Sequence, residues 1–541
     1  MFCGTPADFG IMNILKPVGA MHKELIIDSS HGEIRVALVE NGRLVELYIE
    51  QEDVQHYAGN IYKGRVEDVL PGLGSAFVDI GHDKRGFLHA SDVLLTGIED
   101  IDEFFAGQAS PASPRGSIGG ALRGGQDITV QVTKEAIGDK GPKLTTAISI
   151  PGRYVVLMPY ADRVNISSRL EDEATRDRLR ALVEGAGAAP HGFIVRTVAG
   201  TAEPEAVLRE IENLVQTWRR IAAAAERKTA PALLYKDKDL LERILRDLFT
   251  ADVDVMITDA AATYERVTAL AEKYAPPLAP RVRLYDDEHP VFDAFGIEAE
   301  IDRMFRRKIW LRSGGYIIID EAEALVAIDV NTGRFLGRYD QEETILKTNL
   351  EAAAEIARQV RLRNIGGIII VDFIDMATAE HKDHVLAALK DHMSHDRARA
   401  KILGFSELGM VEMTRQRHQG SIAARLSRPC PYCRGRGTVL DFEVVGVRLE
   451  RELDRRFHAG VRGELTVFVH PRVKEYLELS FASRLSRIEA DPRGHIRLVG
   501  RDDLPLDALE ITARGADGIA GGIKARPPFR NPGSLDNEGG G

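Results

Sequence analysis

The chain has 541 residues, 44% hydrophobic and 28% charged, with a formal net charge of −11. That is too long for one core and ordinary for a soluble multidomain protein, and the acidic balance argues against a chain that coats nucleic acid indiscriminately. No apolar run approaches the roughly 20 residues that cross a bilayer, no signal-peptide pattern opens the chain, and three cysteines fit a reducing compartment; the expected location is cytoplasmic.

Residues 1–20 carry little pattern and are expected to be a disordered extension, with Met1, Met12 and Met21 all eligible as starts. Leu25 to Ile27, Glu33 to Val39 and Arg43 to Ile49 read as three short strands. From Gly59 to Val93 dense short strands alternate with glycine turns, and the stretch 58–143 resembles an S1 domain, a five-stranded barrel of the oligonucleotide-binding type. Such barrels bind single strands by stacking bases on aromatics beside a basic groove. Phe77 and Phe87 are the stacking candidates, ahead of Tyr62, with Lys134 and Lys140 at the barrel's far end. The Gly-, Ala-, Ser- and Pro-rich segment 106–125 reads as a loop inserted in the barrel. Residues 144–229 mix strands (Tyr154 to Met158, Gly192 to Arg196) with helices (Asp172 to Glu184, Glu203 to Arg219), and 230–297 is helix-rich.

The segment 298–420 is the centre of the chain. An apolar run ends in Asp329-Val330-Asn331-Thr332-Gly333, and apolar residues at helical spacing then run from Asp340 to about Asn364. Asp340 and Glu343 form a capping box, and Gly366-Gly367 is the expected stop. Ile368-Ile369-Ile370-Val371, apolar on both faces, ends in Asp372. Strand, helix, strand is a crossover unit whose strands pair in parallel, which brings Asp329 and Asp372 to one carboxyl edge, where ligands of open α/β sheets gather. Two carboxylates with the Asn331 amide make an all-oxygen site suited to Mg²⁺ or Mn²⁺. Asp320 and Asp375, also at strand ends, read as turn caps. Arg303, Arg306, Arg307, Lys308 and Arg312 precede this centre, and Arg397, Arg399, Lys401, Arg415, Arg417, Arg425 and Arg428 follow it, a basic surround that would draw in phosphates.

Ala-Ile-Asp-Val-Asn-Thr-Gly, Ile-Ile-Val-Asp-Phe-Ile-Asp-Met, Thr-Asn-Leu-Glu-Ala-Ala-Ala-Glu-Ile-Ala-Arg-Gln-Val-Arg-Leu-Arg-Asn and Gly-Phe-Ser-Glu-Leu-Gly-Met-Val-Glu-Met-Thr-Arg-Gln-Arg closely resemble blocks of the ribonuclease E/G family, the last most like its G branch. The resemblance implies a multidomain α/β (α+β) fold. Residues 21–57 and 230–297 would form a ribonuclease-H-like subdomain interrupted by the S1 barrel and a sensor of the RNA 5′ end. A DNase-I-like catalytic subdomain at 298–420 would follow. It also implies Asp329 and Asp372 as ligands of a catalytic Mg²⁺, Asn331 as their orienter, Arg196 and Thr197 as the pair gripping a 5′-monophosphate, and Arg399 with the barrel residues as RNA contacts. The implied activity is Mg-dependent endonucleolytic cleavage of single-stranded RNA, in rRNA and tRNA processing and mRNA decay, leaving 5′-phosphate and 3′-hydroxyl ends.

Cys430-Pro-Tyr-Cys433-Arg-Gly-Arg-Gly, within 421–440, reads as a zinc knuckle. A redox dithiol and a chaperone-type repeat are competing readings. Two thiolates are half a tetrahedron and Cys3 lies in the unpatterned start, so four thiolates need a second chain unless a histidine such as His418 completes the site. The family resemblance implies a Zn²⁺ shared between two chains, hence a homodimer or a dimer of dimers. Residues 441–522 read as a small α/β domain and 523–541 as a disordered tail. The rival from a different class is a non-catalytic RNA-binding protein that uses only the barrel.

Overall fold

The computed structural model describes residues 21–51, 56–93, 122–136, 140–333, 341–416, 421–428, 430–433, 435, 437–461, 463–484, 494–514 and 520–524. They form two compact units divided between Arg425 and Leu426. The extension 1–20, nearly all of the loop 106–125, Asp340 with its capping box, Arg417, His418 and the tail from 525 lie outside the described residues. Among those described, no helix is long and apolar enough to cross a membrane.

In the first unit, β1 (Lys23–Asp28), β2 (Glu33–Glu40) and β3 (Arg43–Gln51) form an antiparallel meander. The chain then leaves for the barrel: β4 (Ile61–Leu70), β5 (Ser75–Asp79), β6 (Gly86–His89), β7 (Asp127–Lys134) and β8 (Lys143–Thr145). Pairing of β4 with β7 closes it. Next, β9 (Ile150–Pro151), β10 (Val155–Met158), β11 (Val164–Ile166) and β12 (Gly192–Val195) make a four-stranded sheet. It packs on the helices Glu173–Glu184 and Pro204–Arg227. The second helix outruns the expected Arg219 because Ala222 to Ala225, the best helix formers, carry it on.

β13 (Ala232–Tyr235) adds to the barrel beside β4, so the barrel recruits residues well beyond 143. β14 (Val255–Thr258) and β15 (Val282–Leu284) then return to lie parallel with β1, giving the order β15-β14-β1-β2-β3. Helices cover both faces of this sheet: Leu240–Asp247 and Ala261–Tyr274 on one, and Phe292, Ile297 and Leu362 from later in the chain on the other. That double covering explains why β1 is apolar almost throughout.

The last sheet of this unit has the order β16-β17-β18-β19-β21-β20, built from β16 (Lys308–Trp310), β17 (Tyr316–Glu321), β18 (Leu325–Asn331), β19 (Gly367–Asp372), β20 (Ala400–Phe405) and β21 (Val411–Arg415). Only β18 and β19 pair in parallel, joined by the expected helix, Gln341–Leu362. That helix and Ala379–Ser394 cover one face. Although β19 is apolar on both faces, Ile368 is 51% exposed, because one face of the sheet has no covering layer among the described residues. The stop also differs. The helix ends at Leu362, and Asn364 (φ 52°), ahead of Gly367 (φ 99°), is the first residue after it with a positive φ, which a short polar side chain tolerates.

The C-terminal half of that helix is buried all round rather than on one stripe. Its charged residues are paired: Arg358 to Glu355 of the same helix (2.6 Å) and to Glu300 of the helix Ile297–Met304 (2.8 Å), and Arg361 to Glu40 (3.0 Å) and Glu46 (2.8 Å) of the first sheet. The second unit holds β22 (Gly463–Val469), β23 (Gly494–Gly500), β24 (Leu509–Arg514) and β25 (Ala520–Lys524) in the order β23-β22-β24-β25. Its helices are Phe442–His458 and Pro471–Leu479; β25 carries order two residues past the expected boundary at 522.

Candidate active site

Parallel register sets Asp329 directly opposite Asp372 at the end of the β18–β19 ladder. Both side chains are exposed on the uncovered face. Asn331, two residues on and so on the same face, donates from Nδ2 to Asp329 Oδ2 at 2.8 Å. Partial burial and the charges of Asp329 and Asp375 push the Asp372 carboxyl above its ordinary range. The turn after Asn331 depends on Gly333, whose φ of 67° disfavours a side chain and whose Cβ would run into the Gly314 carbonyl.

Asp320 and Asp375 part company. Arg307 clamps Asp320 with two bonds, one of 2.6 Å from Nη2, as a structural residue. Asp375 instead stands near enough that its charge adds to those raising Asp372. Buried Asn349 positions both: its Nδ2 donates to the Ile374 carbonyl at 2.8 Å, and its Oδ1 accepts from the Ile374 N–H at 3.1 Å. The signal for Asn349 was an amide on the buried face of a helix, where only a specific partner makes it tolerable.

Two close carboxylates with an amide form a hard-oxygen donor set that fits Mg²⁺, which takes one or two carboxylates plus waters and phosphate. Among the described residues no group of three or more His, Cys, Asp and Glu side chains is arranged to hold a metal. The basic surround divides. Arg415 is buried and structural, bonded through Nε to Asp396 at 2.6 Å. Exposed Arg399 precedes β20 at the Gly367 end of the sheet, about 16 Å along the strand from Asp372 at ~3.3 Å per residue.

In the barrel, Phe77 faces Phe87 across β5 and β6, with the rings edge to face at 6.0 Å. The register continues from Phe87 to Lys143 and from Lys143 to Lys134. Lys134 therefore ends the same row as the aromatics rather than marking a far end, and Lys143, which sequence reasoning missed, sits between. Lys140 is exposed beside Gly141, which with Phe77, Asp68, Leu70, Lys84 and Arg85 lines a cavity of about 320 Å³. Tyr62 is buried, bonded to His82 and Asn60.

Arg196 directly follows β12, where its Nη1 donates to the Asp247 carboxylate (2.6 Å) and the Gly152 carbonyl (2.7 Å). Burial alone would raise the Asp247 carboxyl, but the bond and charge of Arg246, then the charge of Arg196, hold it below its ordinary range. Exposed Thr197 shares a 3.1 Å hydroxyl bond with Ser167. Arg397 donates to the Asp247 carbonyl at 2.7 Å, so the segment leading to Arg399 lies beside Arg196 rather than beside the carboxylates. In the second unit, Cys430 is exposed and Cys433 half-buried. Backbone N–H groups of Gly437 and Gly435 aimed at the Cys433 sulfur lower its thiol, as the neighbouring Cys430 side chain also does, which suits a thiolate ligand.

A family model described as the ribonuclease E/G family matches residues 149–418. The chain is 42% identical over 470 residues to "Ribonuclease G" of Escherichia coli (strain K12), an alignment covering 87% of this chain and 95% of that protein. It is 41% identical over 454 residues to "Ribonuclease G" of Haemophilus influenzae, covering 84% and 91%. To "Ribonuclease E" of a Nostoc species it is 40% identical over 444 residues, covering 81% of this chain and 61% of that protein.

Proposed function

Since the chain belongs to the ribonuclease E/G family and is an endoribonuclease, we propose that Asp329 and Asp372 hold its catalytic Mg²⁺ (or Mn²⁺) against the scissile phosphate of single-stranded RNA. The observation that carries this is the facing carboxylate pair on an open sheet face. A bound cation there would neutralise the attacked phosphate and generate the nucleophile from water. Asn331 fixes the rotamer of Asp329, and Asn349 holds the loop that carries Asp372 and Asp375. Phe77 and Phe87 stack unpaired bases while Lys143, Lys134 and Lys140 meet the backbone. Arg196 and Thr197 bind a 5′-monophosphate, with Asp247 orienting the guanidinium, and Arg399 adds positive charge on that side. The products are a 5′-phosphate and a 3′-hydroxyl.

In the same reading, residues 21–57 with 230–297 form the ribonuclease-H-like subdomain, 58–143 the S1 barrel, 144–229 the sensor and 298–420 the DNase-I-like subdomain. Cys430 and Cys433 supply half of a Zn²⁺ site completed by a second chain, with 441–522 as the small domain beside it. Cleavage of a 5′-monophosphorylated oligoribonucleotide, abolished by EDTA and restored by Mg²⁺, tests the metal; EDTA-resistant cleavage would sink it. Elemental analysis tests the shared zinc. About half a zinc per chain, lost together with the dimer in Cys430→Ser, supports sharing, whereas one zinc per chain and an intact oligomer refutes it.

A further inference from the structure

We infer that Trp310 is a platform on which an unpaired base of the RNA stacks while Asp329 and Asp372 face a neighbouring phosphate; this rests on the proposed role of the carboxylate pair. In β16, Ile309 points into the core while Lys308 and Trp310 point out. Register carries Lys308 through Ile318 to Asp329 and Asp372, and Trp310 through Tyr316 to Asn331. All of these share the uncovered face. At ~4.8 Å between strands, the Trp310 backbone is about 10 Å from that of Asn331, a gap one or two nucleotides of extended strand span.

Trp310 is 63% exposed, although its ring is among the largest apolar surfaces a side chain offers. It is nonetheless held in place. Tyr316 meets it edge to face at 5.3 Å, and the Lys308 ammonium lies 4.0 Å from its ring centroid and 3.5 Å from that of Tyr316. A ring fixed from behind by a cation and a second aromatic, with area left open, is how single strands are gripped without sequence readout: the base stacks and the ammonium draws the phosphate. Phe77 and Phe87 in the barrel would bind a separate part of the strand, so Trp310 sets which nucleotide stands beside the carboxylates.

The chain has two tryptophans, and Trp218 is buried at 8% exposure, so Trp218→Phe leaves Trp310 as the sole reporter. Short single-stranded RNA added in EDTA should quench its emission and shield it from acrylamide. Trp310→Ala should lower kcat/KM about tenfold, mostly through KM, and Trp310→Phe should recover most of that loss. Replacing bases one at a time by abasic sites should find one position near the cut where the wild type loses about tenfold and Trp310→Ala loses nothing further. Unchanged emission, wild-type kinetics in Trp310→Ala, or an abasic penalty that persists in that variant would each overturn the platform. So would a change in oligomeric state with RNA affinity intact, which would make Trp310 a protein contact. Should Asp329→Asn and Asp372→Asn remain active while RNA still quenches Trp310, the carboxylate reading fails and base stacking stands.

Discussion

Two clusters of charge serve the same helix-and-strand block and could hardly differ more. Behind the sheet, Glu355, Arg358, Arg361, Glu40 and Glu46 are buried, and each finds an opposite charge. On the open face, Asp329 and Asp372 confront one another with the Asn331 amide beside them. Their electrostatics diverge accordingly. Burial alone would raise the Glu355 carboxyl, but the bond and charge of Arg358, then the charge of Arg43, hold it low, whereas burial and like charge combine to raise Asp372. Paired opposite charge marks architecture here, and like charge held face to face marks a place prepared for something that brings positive charge with it.

The largest effect should separate the clusters outright. Asp329→Asn and Asp372→Asn are each predicted to lower the cleavage rate by about a thousandfold or more, as expected for loss of a metal ligand. RNA affinity should stay within a few-fold, and thermal stability should not fall. A variant cutting at more than about a tenth of the wild-type rate would remove that residue from the metal site. Arg361→Met should do the reverse: Glu40 and Glu46 would be left buried without their guanidinium, costing about 3–5 kcal/mol. Denaturant midpoints would show this as lost stability, with kcat of the folded protein largely retained; a stable but inactive variant would erase the distinction.

A smaller effect concerns the end sensor. Because Arg196 is oriented by Asp247 beside Thr197, 5′-monophosphorylated RNA should be cut about tenfold faster than 5′-hydroxyl RNA, in keeping with a charge-assisted contact, and Arg196→Ala should level the two. Equal rates with the intact protein would end the sensor reading. The subtlest contrast is with pH. Glu355 has a depressed folded pKa, so its stabilisation is complete above the unfolded value of about 4.3 and is lost as pH falls through the folded one. Asp372, with a raised folded pKa, has the opposite sign: it weakens the fold above that pKa and is relieved on protonation. Melting temperature should therefore fall below about pH 4 in the wild type, and Asp372→Asn should match or exceed the wild type at pH 7. A lower melting temperature for Asp372→Asn at pH 7 would mean the carboxylate is structurally paired after all.

Much of the site was legible because it rides on periodicity. An apolar run ending in Asp, a helical stretch and a second such run are enough to imply parallel strands and facing carboxylates, and the register places Asp329 opposite Asp372. What stayed hidden depends on packing between distant segments. No local pattern tells that Arg358 and Arg361 turn inward onto Glu300, Glu40 and Glu46 rather than outward to solvent. Nor does one tell that the second face of β19 lacks a cover among the described residues, since an apolar strand reads alike whether one side or both are buried. Lys143 and Trp310 were missed for the same reason: each sits in a three-residue strand, too short for alternation to show, and only cross-strand register brings it to the row that matters.

The most direct measurement is where the catalytic cation sits. In crystals soaked with Mn²⁺, the anomalous signal should give a peak within coordination distance, roughly 2.0–2.2 Å, of carboxylate oxygens from both Asp329 and Asp372, and the peak should vanish in Asp372→Asn. Mn²⁺ bound elsewhere, with this pair empty in protein that still cleaves RNA, would contradict the account.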